Sequence, residues 1–361
     1  MATTMMALKA SGPRDYALTT DAPRPEAGPL ELVLQTIAVG ICASDSKMFA
    51  GGDLFWKQPG GRVSASLPVV PGHEFVGRVA LIGEPRRPEH AALAVGDVVV
   101  VEQLVACGNC WFCKHGGPHK CDLLKVFGQG LDGPLAELVR IPATAFVHPV
   151  PQALAMPDAA WQAFFAEPLS IAMRAVDRAE LPLDASDATV VVIGCGTVGL
   201  CVIAAVRAMR PGVRIVAVDL HEYKLRVASA CGADVSVTVG DQLELAAHSF
   251  NEGRGADVVF EAAGSAQSIV SATRLVRKMG RVVNLSITNK SMQPFDWNAL
   301  SAGKELSVVG SSLGHGYWPA ALDLIARGAL PCELMASHRL PLRLWAEGLQ
   351  LAGAALQVTT I

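Results

Sequence analysis

Val190-Val191-Val192-Ile193-Gly194-Cys195-Gly196-Thr197-Val198-Gly199-Leu200 is the stretch on which the fold turns. Four β-branched residues run into Gly-x-Gly-x-x-Gly, and an apolar, Ala-rich segment follows from Cys201 to Met209. That order predicts a buried strand, a tight turn and a helix. Gly194 permits the turn, Gly196 lets the backbone approach a pyrophosphate, and Gly199 lets helix and strand pack closely. Thr197 and Val198 open the helix, whose unpaired N–H groups and positive dipole end favour an anion. A second apolar strand, 213 to 218, ends in Asp219, placed where a carboxylate binds the adenosine ribose diol and repels a 2′-phosphate. Alone, the glycines also fit a plain strand–helix corner, and Asp219 a turn or helix cap. Together they predict a dinucleotide site that takes NAD rather than NADP.

Working outward, 361 residues are enough for two domains, and 51% hydrophobic with 17% charged residues describes a buried, globular chain. The formal net charge of -3 and the lack of a dense Lys/Arg run give no reason to expect nucleic acid. No apolar stretch is long and pure enough to span a bilayer. The start, Met1 to Ala10, lacks a basic segment followed by a long apolar run, so a cytoplasmic location without a signal peptide is expected.

The cysteines carry more information. Cys195, Cys201, Cys231 and Cys332 sit among apolar neighbours and read as small core residues. Cys107, Cys110, Cys113 and Cys121 instead form two Cys-x-x-Cys steps with a fourth cysteine eight positions on. Four thiolates at that spacing can close a tetrahedral zinc site, which would fix a loop rather than do chemistry. A redox dithiol or unpaired surface cysteines are the rival readings. Cys42, His73-Glu74 and, much later, Glu167-Pro168 supply another thiolate, an imidazole and two carboxylates. That set suits a zinc ion with one position left open.

Gly40-Ile41-Cys42-x-Ser44-Asp45, Gly72-His73-Glu74, the cysteine lobe, Glu167-Pro168-Leu169 and the glycine turn with Asp219 occur in an order that resembles the zinc-dependent medium-chain alcohol and polyol dehydrogenases. The resemblance covers nearly the whole chain. It implies an α/β protein: a Rossmann doubly wound parallel-sheet domain over 169–305, and a mostly antiparallel β (GroES-like) catalytic domain formed by 1–168 and 306–361. It implies NAD and two zinc ions, one structural and one catalytic, the latter held by Cys42, His73 and Glu167. Glu74 would ligate directly or stand behind a ligand. Lys224 matches a lysine that reaches the adenosine ribose, and Ser44 a hydroxyl that passes on the alcohol proton. The next relay position, a histidine in many relatives, is Lys47 here. A lysine accepts no proton near neutrality unless its pKa is depressed, so the last relay step departs from the family pattern.

The same resemblance narrows the substrate. Glu167 stands where simple alcohol dehydrogenases have cysteine, which is similar to the polyol members. The small Ser44 leaves room for a secondary alcohol. The insert 51–66 with Phe55 and Trp56 looks like that of erythritol and threitol dehydrogenases. Oxidation of a small polyol to a ketose by a homodimer or homotetramer is the expectation. The alternatives are a threonine 3-dehydrogenase-like or aminocyclitol dehydrogenase activity, or a non-enzymatic zinc- and NAD-binding protein.

Overall fold

A computed structural model describes residues 3–56, 67–182, 187–240, 243, 251–288, 297–354 and 357–360; positions 57–66 of the insert fall outside these. The chain forms two compact units, Met1–Glu167 with Ala336–Ile361, and Pro168–Met335.

The first unit begins with an antiparallel hairpin, β1 (Thr4–Gly12) and β2 (Asp15–Pro23). It continues through β3 (Leu32–Ile41), β4 (Glu74–Ile82), β5 (Val98–Val105), β6 (Lys125–Val126), β7 (Leu138–Ile141) and β8 (Ala145–Pro149). β3, β4, β5 and β6 pair in that order, all antiparallel, while β7 and β8 return onto β3 and β5. Leu32, Leu34, Phe75, Val99, Val101, Phe127 and Ile141 share one buried core. Phe75 and Phe127 meet edge to face at 5.7 Å. The alternation of strand side chains explains this core: Val99, Val101 and Val105 lie on one face of β5.

The second unit is a parallel sheet of β9 (Thr189–Ile193), β10 (Arg214–Asp219), β11 (Val235–Thr238), β12 (Ala256–Glu261), β13 (Val276–Asn284) and β14 (Ser307–Gly310). Their spatial order is β11-β10-β9-β12-β13-β14, every pair parallel, so the strand order reverses beside β9. That is the doubly wound arrangement expected from the glycine stretch. All five residues of β9 are buried, as a central parallel strand requires. The unit runs past the return expected at 306, because β14 pairs with β13 and the helix Trp318–Ala326 buries Trp318, Leu322 and Ile325. The chain rejoins the first unit with β15 (Ala336–Leu340) and β16 (Gln357–Thr360), which extend its sheet alongside β3.

Candidate active site and metal centres

Strand register brings the separated motifs together. Gly40 of β3 faces Glu74 of β4, so Cys42, just past one strand, lies beside His73, just before the other. Cys42 then starts α1 (Ala43–Phe49), and its N–H donates to Asp45 Oδ2 at 2.9 Å. Sulfur, ring nitrogen and carboxylate oxygen of Cys42, His73 and Glu74 all lie within 4.8 Å of one another. Glu167 stands outside that trio but within electrostatic reach of Glu74, His73 and Asp45. It occupies the first turn of the helix Ala166–Arg178. The preceding turn, with Phe164 and Phe165 stacked at 4.4 Å and fully buried, packs against β3 and β4 and anchors that helix start.

Two residues that the sequence reading gave no role complete the cluster. Asp45 is buried, and its Oδ1 lies 3.3 Å from His73 Nδ1. Gln103 of β5, also buried, donates from Nε2 to Glu167 Oε1. Both carry a signal in sequence. Asp45 sits three residues after Cys42, at the position that reaches back to a helix N-cap N–H. Gln103 interrupts the valine-rich β5 on the face of Val99, Val101 and Val105.

Burial pushes the Cys42 thiol up to about 11, with the Glu74 charge adding to it. Burial raises Glu167 to about 8, again with Glu74 adding to it. Burial opposes the His73 cation, but the Asp45 carboxylate outweighs it and holds His73 well above its ordinary range. A divalent cation bound here would offset the negative charge of the cluster and favour the Cys42 thiolate. A thiolate, an imidazole and a carboxylate are donors that suit zinc. Ser44 and Lys47 lie on α1, Ser44 in its first turn and Lys47 near its end.

The sulfurs of Cys107, Cys110, Cys113 and Cys121 also fall within 4.8 Å of one another, and Cys110 and Cys113 sulfurs are 3.5 Å apart. A tetrahedral zinc with bonds of about 2.3 Å needs sulfurs roughly 3.8 Å apart, so the lobe fits it. Backbone N–H groups of Asn109 and Cys110 donate to Cys107 Sγ, each at 3.4 Å, and lower that thiol to about 6. His115 stacks on Trp111 at 4.2 Å, away from any ligand role. The remaining cysteines, Cys195, Cys201, Cys231 and Cys332, are buried and lie outside both clusters.

In the second unit Gly194 has φ +94°, and a Cβ there would lie 2.8 Å from Ala263 N. A Cβ on Gly199 would come within 1.8 Å of Gly194 O, so helix and turn touch. Around Gly196, the N-cap of the helix Thr197–Met209, a Cβ would meet nothing within 4 Å. That open space beside a helix N-terminus suits a pyrophosphate. Thr197 and Val198, half-buried, form the first turn. Asp219 ends β10; its Oδ2 accepts from Cys195 N at 2.8 Å and its Oδ1 from His221 N at 3.0 Å. The carboxylate thus pins the glycine turn while keeping lone pairs for a ribose. Lys224 follows on the helix Glu222–Ala230, its Nζ 6.0 Å from the Tyr223 ring centre. Glu261, which sequence reading passed over, is buried at the end of β12 and accepts from Ala263 N and Gly264 N.

Comparison with known proteins agrees with the two-part fold. Residues 28–152 match the model of the alcohol dehydrogenase GroES-like domain, and 197–327 that of the zinc-binding dehydrogenase. An erythritol/L-threitol dehydrogenase of Mycolicibacterium smegmatis is 39% identical over 97% of this chain and 94% of its own. Among solved structures, a zinc-binding dehydrogenase of Sinorhizobium meliloti bound to NADP superposes with a TM-score of 0.85 at 27% identity, covering 100% of both chains. An alcohol dehydrogenase of a Thermus species gives 0.82 at 30% identity, covering 99% of each. The chain belongs to the zinc-binding medium-chain alcohol and polyol dehydrogenase family.

Proposed function

We propose that the protein oxidises a secondary hydroxyl of a small polyol, of the erythritol or threitol kind, to a ketose with NAD, reversibly. The observation that carries this is the set of half-buried Cys42 and buried His73 and Glu74, with Glu167 beside it. A zinc- and NAD-binding protein without catalysis would need the four-cysteine lobe and the glycine turn, but not this second set. The identity with the erythritol/L-threitol dehydrogenase supports the choice of substrate.

Cys42, His73 and Glu74 would hold the metal, with Glu167 as a further ligand or a partner to what binds there. When bound, zinc supplies a Lewis acid for the alcohol oxygen and NAD supplies the hydride acceptor. The Asp45 carboxylate, 3.3 Å from His73 Nδ1, would steady the ring electrostatically and leave Nε2 for the metal. The Ser44 hydroxyl takes the alcohol proton onward. Asp219 receives the ribose diol, Lys224 reaches it from the following helix, and the N–H groups from Gly196 to Val198 receive the pyrophosphate. The Sinorhizobium meliloti structure bound to NADP favours a second reading of the cofactor. The Asp219 carboxylate opposes a 2′-phosphate and supports NAD. A homodimer or homotetramer is part of the same proposal, to be checked by light scattering.

The deciding experiment measures zinc content and NAD-linked turnover on four- to six-carbon polyols for the wild type and Cys42→Ser. Two zinc ions per chain falling to one, with activity lost and the fold intact, is the expected result. Retention of two zinc ions or of activity overturns the ligand assignment. Normal zinc content with turnover of simple secondary alcohols or threonine alone overturns the substrate.

A further inference from the structure

Gln103 of β5 touches the candidate site through its hydrogen bond to Glu167. Val99, Val101 and Val105 on the same face of β5 belong to the core. Its hydrogen bond to Glu167 sets it beside the carboxylate that stands within electrostatic reach of His73 and Glu74.

The hydrogen bond sets the orientation of the Gln103 amide. Nε2 donates to Glu167 Oε1, so the NH₂ group faces Glu167 and the carbonyl faces away. That carbonyl oxygen, Oε1, is buried and has no hydrogen-bond partner among the described residues. A polar side chain only 2% exposed, placed in a valine row with an unused acceptor, is destabilising unless something donates to it. The bond to Glu167 accounts for Nε2, while the unmatched Oε1 calls for a donor that the described residues do not supply.

We propose that Gln103 Oε1 accepts a hydrogen bond from a substrate hydroxyl adjacent to the carbon being oxidised, making Gln103 the residue that selects polyols over monohydric alcohols. The idea rests on the polyol reading above and deepens it. Through Nε2 the same side chain holds Glu167, so one amide links the carboxylate at the metal cluster to the recognition of a second hydroxyl. A site built to receive an O–H discriminates strongly against a substrate that lacks it, because its buried acceptor is then left unpaired.

The test compares kcat/KM for a four-carbon polyol and for the four-carbon monohydric secondary alcohol, in the wild type and in Gln103→Met. Zinc content and thermal unfolding are followed on the same samples. The wild type should prefer the polyol, and Gln103→Met, with both zinc ions retained, should reduce that preference at least about tenfold. A role confined to positioning Glu167 would lower both substrates alike and keep the ratio, which overturns the proposal. Should Gln103→Met not fold, the wild-type comparison decides: a polyol used no better than the monohydric alcohol overturns the role of Gln103 while leaving polyol oxidation in place. Turnover of the monohydric alcohol with no turnover of any polyol overturns both readings.

Discussion

Asp45 Oδ1 lies 3.3 Å from His73 Nδ1, with both side chains buried, while Asp45 Oδ2 accepts the N–H of Cys42. One carboxylate therefore orients two of the three clustered metal donors. Carboxylates behind a metal-binding imidazole fix its ring and raise its basicity. Asp45→Asn keeps the size and the acceptor toward Cys42 but loses the charge. It should weaken zinc at the Cys42 cluster about ten- to a hundredfold. Dialysis against graded chelator, with metal analysis, should then show one zinc leaving early and the lobe zinc leaving as in the wild type.

The cysteine lobe gives the complementary prediction. Its four sulfurs are already gathered within 4.8 Å, and backbone N–H groups donate to Cys107 and Cys121. Bound metal there stabilises the loop from Cys107 to Cys121 and blocks its thiols. Exhaustive chelation should lower the melting temperature and expose these thiols and Cys42 to a thiol reagent. Cys195, Cys201, Cys231 and Cys332, all buried, should react only on unfolding. Rapid reaction of the lobe thiols before chelation would remove the zinc assignment.

Much of this was legible in the sequence because the chemistry is local. The glycine turn and the cysteine lobe are each contained in one short segment, so spacing alone constrains them. The Cys42 cluster spans β3, β4 and the helix at Ala166, and its motifs name the residues without giving distances. Glu167 shows the difference: it was expected as a ligand, and the clustered trio is Cys42, His73 and Glu74, with Glu167 next to it. Asp45 and Gln103 needed strand register and helix-cap geometry to acquire meaning, since an acid or amide alone in sequence has many uses. The extent of the second unit also hinged on pairing: the chain was expected to return to the first domain at 306, but β14 pairs with β13.

A pH prediction follows from an ion pair far from the metal cluster. Glu31 accepts Arg140 Nε at 2.8 Å and Nη2 at 2.7 Å, and also the N–H of Gly28, tying the start of β3 to β7. The Arg140 hydrogen bonds hold the Glu31 pKa below its ordinary value. A depressed carboxylate contributes stability above its unfolded pKa of about 4.3 and loses that contribution as pH falls through the folded value. Glu31→Gln should cost about 1 kcal/mol near neutrality, because the Arg140 side chain is 59% exposed and water weakens the pair. Chemical unfolding of both forms at a series of pH values should show the gap narrowing as pH drops below 4.3 or so. A constant gap down to low pH would mean that geometry, not charge, carries the effect.

Two glycines of the first turn, Gly199 and Gly196, should fail differently when replaced by alanine. At Gly199 the added methyl would lie 1.8 Å from Gly194 O, a backbone atom that cannot move without opening the helix–strand contact. Gly199→Ala should cost about 3 kcal/mol or more and lower expression or melting temperature sharply. At Gly196 the backbone has φ −73°, which an L-residue adopts freely, and the methyl would meet nothing within 4 Å. Gly196→Ala should therefore fold with unchanged stability, yet place its methyl where the pyrophosphate approaches. The dissociation constant for NADH, read by fluorescence titration, should rise about tenfold or more while zinc content stays at the wild-type value. If Gly196→Ala binds NADH as tightly as the wild type, the space beside this helix is not the pyrophosphate site, however well the turn matches the motif.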